Sequence, residues 1–429
     1  MGQGSGWHAE TIPYGKSEID VRIPARNYLA TLTPHYQPGL PDTQAAIQEA
    51  LAHPVGTPRL CDIARGKRSA VIVVNDVTRP TATDKLVPPL LDELRAAGLA
   101  RENIFFLVAT GTHRDNMREE MERMLGKEVL DEYRVLNHHC QDEAATVKLG
   151  ATREGIPVVI NRLFCEAEVK ILTGTIGPHH GAGFSGGRKS VLPGLASLAT
   201  LKQHHGFHMR SPRPAMGWVE GNRFHEAALE AARMAQVDFI MNTVQNDRKE
   251  ITHIAAGDLD QAWQGGVRAS REIFEVRVPA PAEIVITSPG AFPKDIDLWQ
   301  AQKAMSSAEL MVTEGGTVIL AAECRDGVGA QGFYDWMAAA SRPQDVIERF
   351  IREGFSIGAS KAWQFSRCLT RAELIVVTQN LDDRTLEKMF AKRADTVEQA
   401  IGMALGRHGS SARILLLRNG SDMIPRFDS

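Results

Sequence analysis

Two adjacent histidine pairs, His179-His180 and His204-His205, bracket Lys189 in residues 173–209, TGTIGPHHGAGFSGGRKSVLPGLASLATLKQHHGFHM. Imidazole is the side chain best poised to move protons near neutral pH and the commonest protein ligand of metals. Glycines at 174, 177, 181, 183, 186, 187, 194 and 206 make the first half of this stretch a poor helix and a poor strand. Glycine at this density lets backbone approach a ligand closely. A binding loop is the simplest reading, with an anion as ligand, because free backbone N–H groups would stand beside the side chains of Arg188 and Lys189.

The elements that must position these residues are legible in part. Ala70–Asn75 (AVIVVN) is a continuous β-branched run of the kind buried on both faces of a parallel sheet, and it ends in Asp76-Val77-Thr78-Arg79-Pro80. Residues 104–109 (IFFLVA) form the next expected strand, followed by Gly111-Thr112-His113, and residues 169–173 (VKILT) run straight into the glycine-histidine loop. Three strand tips would then carry Asp76 and Arg79, His113, and His179 with Lys189 to one edge, where open α/β sheets bind ligands. Helices are expected at 89–97, 115–125 and 224–236, and a further strand at 237–243.

The chain of 429 residues exceeds what one core usually organises. A Pro-rich junction, VPAPAE at 278–283, divides an expected N-terminal α/β domain (1–277) that carries the loop from a C-terminal α/β domain (278–429). The second is read as helix 298–313, strand 317–321, helix 343–353, strand 374–377 and strand 414–417. The fold class expected is therefore two α/β domains with mainly parallel sheets and the active site in the cleft between them. A helix from Leu298 would bring Trp299, Gln300 and Lys303 together.

Composition removes other classes. A formal charge of -3 argues against a nucleic-acid or membrane-surface partner and leaves small molecules. Cys61, Cys140, Cys165, Cys324 and Cys368 are scattered and odd in number, so a reducing, cytoplasmic setting is expected rather than a disulfide framework or a cysteine zinc site. The opening MGQGSGWHAE has no apolar signal core, and no apolar run reaches membrane-spanning length.

Several readings compete for the loop. Gly183-Phe184-Ser185-Gly186-Gly187 matches the G-x-S-x-G elbow of serine hydrolases, but the strand does not enter it directly. Gly186-Gly187-Arg188-Lys189-Ser190 approximates a phosphate loop, although Arg188 interrupts it and Pro193-Gly194 would break the helix that such a loop caps. A non-catalytic nucleotide-binding module is a further alternative. His204-His205-x-x-His208 is not a zinc-hydrolase helix, and no carboxylate accompanies it. The residues alone suggest a metal held by few protein ligands, the rest of its coordination coming from elsewhere. His8, His35, His53, His225, His253 and His408 read as structural or surface residues, and His138 and His139 as solvent-facing.

Taken together and in order, Asp76–Pro80, Gly111–His113, His179–Ser190, His204-His205 and Trp299-Gln300-Ala301-Gln302-Lys303 resemble the nickel-dependent lactate racemase family, from about residue 76 to 363. The resemblance implies a nickel-pincer nucleotide, supplied by cofactor-synthesis enzymes and bound covalently at Lys189, with nickel also held by His205. It implies a racemase or epimerase that inverts C2 of a 2-hydroxy acid by hydride transfer to and from that cofactor, with His113 and His179 as acid and base. It further implies cofactor contacts from Asp76, Thr78, Arg79 and Trp363, and substrate contacts from Arg79, Trp299, Gln300 and Lys303. Trp299 stands where lactate-specific members carry Tyr, so the expected substrate is a 2-hydroxy acid rather than lactate in particular.

Overall fold

A computed structural model describes residues 6–79 and 81–427; Pro80 of the first strand-tip motif and the first five residues of the chain lie outside them. The chain divides into two compact units, one formed by Tyr36–His205 and Trp218–Ile273, the other by Met1–His35, Gly206–Gly217 and Phe274–Ser429. This differs from the contiguous division at 277/278. Residues 6–35 fold with the C-terminal part because Tyr28–Leu32 pairs in parallel with Ile414–Leu417 at the edge of its sheet. Local pattern does not reveal which sheet a short apolar strand will join.

The loop-bearing unit is built on a six-stranded sheet in the order Ile251–Gly257, Phe239–Gln245, Val169–Thr175, Ala70–Asn75, Ile104–Ala109, Arg134–Asn137. All neighbours are parallel except the Ile251–Gly257 edge strand. The three strands expected from their unbroken apolar runs are adjacent at its centre, and Val71, Ile72, Val73, Ile171 and Leu172 have no exposure. Such strands lose water on both faces, which is why they read as runs rather than alternations. The chain adds strands first to one side of Ala70–Asn75 and then, from Val169–Thr175, to the other. In open α/β sheets such a reversal is the place where ligands bind, at the carboxyl ends of the strands.

The other unit carries a second six-stranded sheet, wholly parallel: Lys392–Ala394, Glu373–Val377, Val312–Ala321, Ala282–Thr287, Ile414–Leu417, Tyr28–Leu32. Both units are thus α/β. The hairpin Trp7–Tyr14 with Ser17–Pro24, which the sequence reading passed over, lays Ile12, Val21 and Ile23 against this sheet's core.

Boundaries moved where tertiary structure outweighed local signals. The helix expected at 89–97 is Thr83–Ala96, with Pro88 and Pro89 inside it. The two prolines deprive only the carbonyls of Asp84 and Lys85, on the exposed side. The helix expected at 298–313 is broken: Leu298–Ala301, a tight turn Gln302–Ala304, then Met305–Met311. Val312 already belongs to a ten-residue strand aligned with Ala282–Thr287.

Ile72, completely buried in the central strand, gives a direct test of this core. Ile72→Ala is expected to cost about 2–5 kcal/mol of stability, while Val77→Ala at the exposed tip should stay within about 0.5 kcal/mol of the parent. Denaturant midpoints of the two variants check the contrast.

Candidate functional site

The site begins where the three central strands end. Register pairs Asn75 with Ala109, and Val73 with Leu172, so the residues that follow emerge at one level. Asp76, 3% exposed, is the first residue past its strand. One carboxylate oxygen accepts the His113 ring Nδ1–H, and the other accepts the Thr78 hydroxyl at 2.7 Å and its backbone N–H at 3.2 Å. Burial by itself would raise the Asp76 carboxyl. The hydrogen bond and charge of His113, the Thr78 hydroxyl and the Arg79 guanidinium outweigh burial and hold it below the usual carboxylate range. An ionised carboxylate only accepts, so Nδ1 of His113 carries the proton and Nε2 presents a lone pair. His113 keeps nearly half its side chain exposed, and Arg79 is exposed too.

Behind the third strand the glycine loop is held from below. Arg188 has no exposure. Its two terminal nitrogens donate to the carbonyls of Ala182 and Phe184 at 2.9 Å, Gly186 at 3.2 Å and Ser185 at 3.3 Å. The guanidinium lies 3.9 Å from the ring centre of Trp263, whose indole N–H also donates to Ser185 at 2.9 Å. Asn242, from the neighbouring strand, accepts the Gly187 N–H at 2.7 Å. Gly186 sits at φ 75°, and a Cβ there would stand 2.7 Å from Ile176 Cγ1, so only glycine fits. Arg188 is therefore not a surface for anions, as the sequence suggested, but the internal support of the loop. Burial pushes it down to about 9, so it remains charged at neutral pH.

That support aims the next residue. Lys189 Nζ lies 2.8 Å from His179 Nε2, and both side chains are half-buried. The other ring nitrogen of His179 accepts the backbone N–H groups of Gly181 at 3.1 Å and Ala182 at 3.0 Å. His180 stacks on His179 with ring centres 4.5 Å apart. Burial first, then Arg79 and Arg188, depress the Lys189 amine well below the ordinary lysine range. Burial first, then Lys189, His180, Arg79 and Arg188, depress His179 in the same way. The setting therefore disfavours the ammonium form of Lys189, which the sequence reading had placed beside an anion.

The structure links Asp76, Thr78, Arg79, His113, His179 and Lys189 in the loop-bearing unit. His205, at the end of helix Leu198–His204, sits in an aromatic cluster 5.0 Å from the rings of both His204 and Phe224. In the other unit Gln300 accepts the Lys303 ammonium at 2.6 Å, as their spacing suggested. Trp299 stacks edge-on against Phe333 and has Lys361 Nζ 5.2 Å above it. Trp363 is 3% exposed beside Phe350 and Arg210, yet its indole nitrogen has no partner, which suits a polar group of a ligand.

Among the described residues no group of three or more His, Cys, Asp or Glu side chains assembles into a metal-ligand set. A metal here would draw most of its donors from a bound organic group, with one imidazole as a fitting protein ligand and the Lys189 amine as a point of attachment for the group.

The structure decides the competing loop readings and corrects the placing of one histidine. Ser185 Oγ donates to the Thr175 carbonyl at 2.7 Å and accepts the Gly177 N–H at 3.0 Å, so it is a loop staple rather than a hydrolase nucleophile. His138, expected at the surface, is 1% exposed and bonded to Ala196 and Asn161, whereas His139 is indeed exposed. Residues 187–190 form a short 3-10 turn, in keeping with the reading that a phosphate loop capping a helix does not fit here. Asn242 and Trp263 escaped sequence reading because each lies in an ordinary strand or amphipathic helix with no local signature.

Family models for the lactate racemase N-terminal domain and the lactate racemase C-terminal domain match residues 14–217 and 278–424. The lactate racemase of Thermoanaerobacterium thermosaccharolyticum is 33% identical over 422 residues, covering 97% of this chain and 98% of that relative. The lactate racemase of Lactiplantibacillus plantarum is 34% identical, covering 96% and 98%. The solved lactate racemase apoprotein from T. thermosaccharolyticum superposes with a TM-score of 0.91 at 32% identity, covering 98% of this chain and all of that one. A Thermotoga maritima protein at 20% identity, TM-score 0.67, covering 92% of this chain and all of its own, shares the fold.

Arg188→Met should cost roughly 1–3 kcal/mol for each loop carbonyl left unpaired, and should speed proteolytic cleavage within residues 182–190. Unchanged cleavage would show the guanidinium to be dispensable. The depressed Asp76 carboxyl contributes stability that is present above its unfolded value of about 4 and fades as pH falls through the lower folded value. The stability gap between parent and Asp76→Asn should therefore narrow as pH falls below about 4, as measured by denaturation at stepped pH.

Proposed function

This chain belongs to the lactate racemase family and is an isomerase, and from that premise we propose that it inverts C2 of a 2-hydroxy acid using a nickel-pincer nucleotide attached at Lys189. The observation that carries the reading is the pairing of the Lys189 amine with His179 at 2.8 Å, on the loop that follows one central strand, with a His113 ring held by Asp76 at the tips of the other two. The chemistry such a nucleotide supplies is reversible acceptance of a hydride from C2. Hydride removal is preferred to proton removal because a carbanion beside an ionised carboxylate is costly.

The residues of the chain then have defined tasks. Losing hydride from C2 requires the 2-hydroxyl to lose its proton, and Nε2 of His113 is the base ready to take it, since Asp76 already accepts from Nδ1. Asp76 also stabilises the imidazolium that results. His179 handles the proton for the opposite configuration through its own Nε2, so each ring serves as base in one direction and acid in the other. Arg79 offers a planar fork for the substrate carboxylate, supplemented by the Gln300 amide and the Lys303 ammonium. Trp299 bounds the pocket with a large ring, which favours 2-hydroxy acids other than lactate itself. His205 supplies the protein's ligand to nickel, and Asp76, Thr78, Arg79 and Trp363 contact the nucleotide.

The 278–429 part is proposed to contribute the substrate-binding Trp299, Gln300 and Lys303. A cytoplasmic setting is supported by five cysteines that are all unpaired. No helix among the described residues is long and apolar enough to cross a membrane.

Co-expression with the cofactor-synthesis enzymes should give an intact mass carrying the nucleotide adduct, absent from Lys189→Ala. The loaded enzyme should racemise or epimerise at least one member of a panel of enantiopure 2-hydroxy acids and retain a deuterium placed at C2. His113→Ala and His179→Ala should each lose roughly 10²–10⁴-fold in rate. Full exchange of the C2 deuterium with solvent would replace hydride transfer by proton abstraction.

A further inference from the structure

We propose that His179 acts before any substrate is present: its Nε2–H donates to the lone pair of Lys189 Nζ, storing Lys189 as an uncharged nucleophile for acylation, and acylation in turn frees His179. The proposal rests on the assignment of Lys189 as the attachment point.

Two backbone N–H groups, from Gly181 and Ala182, converge on Nδ1 of His179. Both can only donate, so Nδ1 must be the acceptor nitrogen, and in the neutral ring the proton then sits on Nε2. Nε2 is 2.8 Å from Lys189 Nζ, a hydrogen-bond distance that needs one donor and one lone pair. With the proton on Nε2, the lone pair belongs to Lys189. An ammonium has none, so the amine is the free base. The reverse arrangement, an ammonium donating to Nε2, would place a proton on Nδ1 against two N–H groups that point at it. The charged and titratable groups acting on the pair are Arg79, Arg188 and His180, and none of them is anionic. Every one of these neighbours opposes a further positive charge.

A free-base amine attacks an acyl or thioacyl carbon that carries a leaving group X. The N–C bond forms, the C–X bond breaks, the amine gives up one proton, and HX departs, with no change of oxidation state. The amide or thioamide nitrogen no longer offers its lone pair. Nε2–H of His179 then loses its partner and becomes available to exchange a proton with substrate. Attachment at Lys189 would thereby switch the same ring from holding the lysine to acid–base work, so that an unloaded chain does not present both histidines at once. His179 is a positioning residue in the first role and a catalytic residue only in the second.

The test uses the full-length chain expressed without the cofactor-synthesis enzymes and trace acetic anhydride as probe. Acetylation of Lys189 and of the exposed Lys388 is followed by peptide mass spectrometry between about pH 6 and 11, bracketing the ordinary lysine value. Lys189 should reach half-maximal reactivity at least about one pH unit below Lys388, tenfold in free-amine fraction. His179→Phe should move that midpoint up toward Lys388, and His179→Gln, whose amide still donates, should restore part of the shift. Equal midpoints for Lys189 and Lys388 in the parent chain would overturn the proposal, even if the variants proved unstable. Because no nickel nucleotide is involved, a low midpoint in a chain that never acquires an adduct would sink the attachment reading while leaving the stored amine intact.

Discussion

Everything in the loop depends on one buried cation. A glycine-rich segment folded below the surface leaves carbonyls that neither helix nor sheet can satisfy, and unpaired buried carbonyls are costly. Arg188 answers four of them from inside, braced on the face of Trp263. Its planar fork reaches several acceptors at once, which a lysine ammonium at the same position would not match in geometry. The charge has a second effect. Together with Arg79 it makes a positive setting for the neighbouring amine and imidazole, so the residue that shapes the loop also tunes the groups mounted on it.

The two histidines are prepared in opposite senses by what lies behind them. A carboxylate behind His113 requires a proton on Nδ1 and leaves Nε2 as an acceptor. Two backbone N–H groups behind His179 require a lone pair on Nδ1 and leave Nε2 as a donor. A reaction that takes a proton at one step and delivers one at another calls for both conditions. The tautomer is set by a remote strand tip in the case of His113 and by the next turn of the same loop in the case of His179.

The sheet supplies a common level from which these groups emerge. Asp76 and Arg79 follow one strand, His113 its neighbour on one side, and the loop its neighbour on the other. That is the point where strand order reverses, so connections diverge and backbone ends are left for a ligand. Rigid parallel strands, buried on both faces, hold the tips more firmly than loops could by themselves.

Much of this was legible without coordinates. Runs such as AVIVVN and IFFLVA declare buried parallel strands because burial on both faces removes any reason for alternation, and the polar groups beyond their ends follow from chain order alone. The helix 343–353 and the strand 414–417 were found at their full extents for similar reasons. Residue chemistry and order also identified Lys189, His113 and His179 as candidates. Tertiary structure alone decided which sheet receives Tyr28–Leu32, that Arg188 points inward, that Ser185 is spent on backbone, and that burial and neighbouring cations depress the Lys189 amine. Each of these depends on what stands next to a group in space, and burial, partner and neighbouring charge bring together residues that lie far apart along the chain.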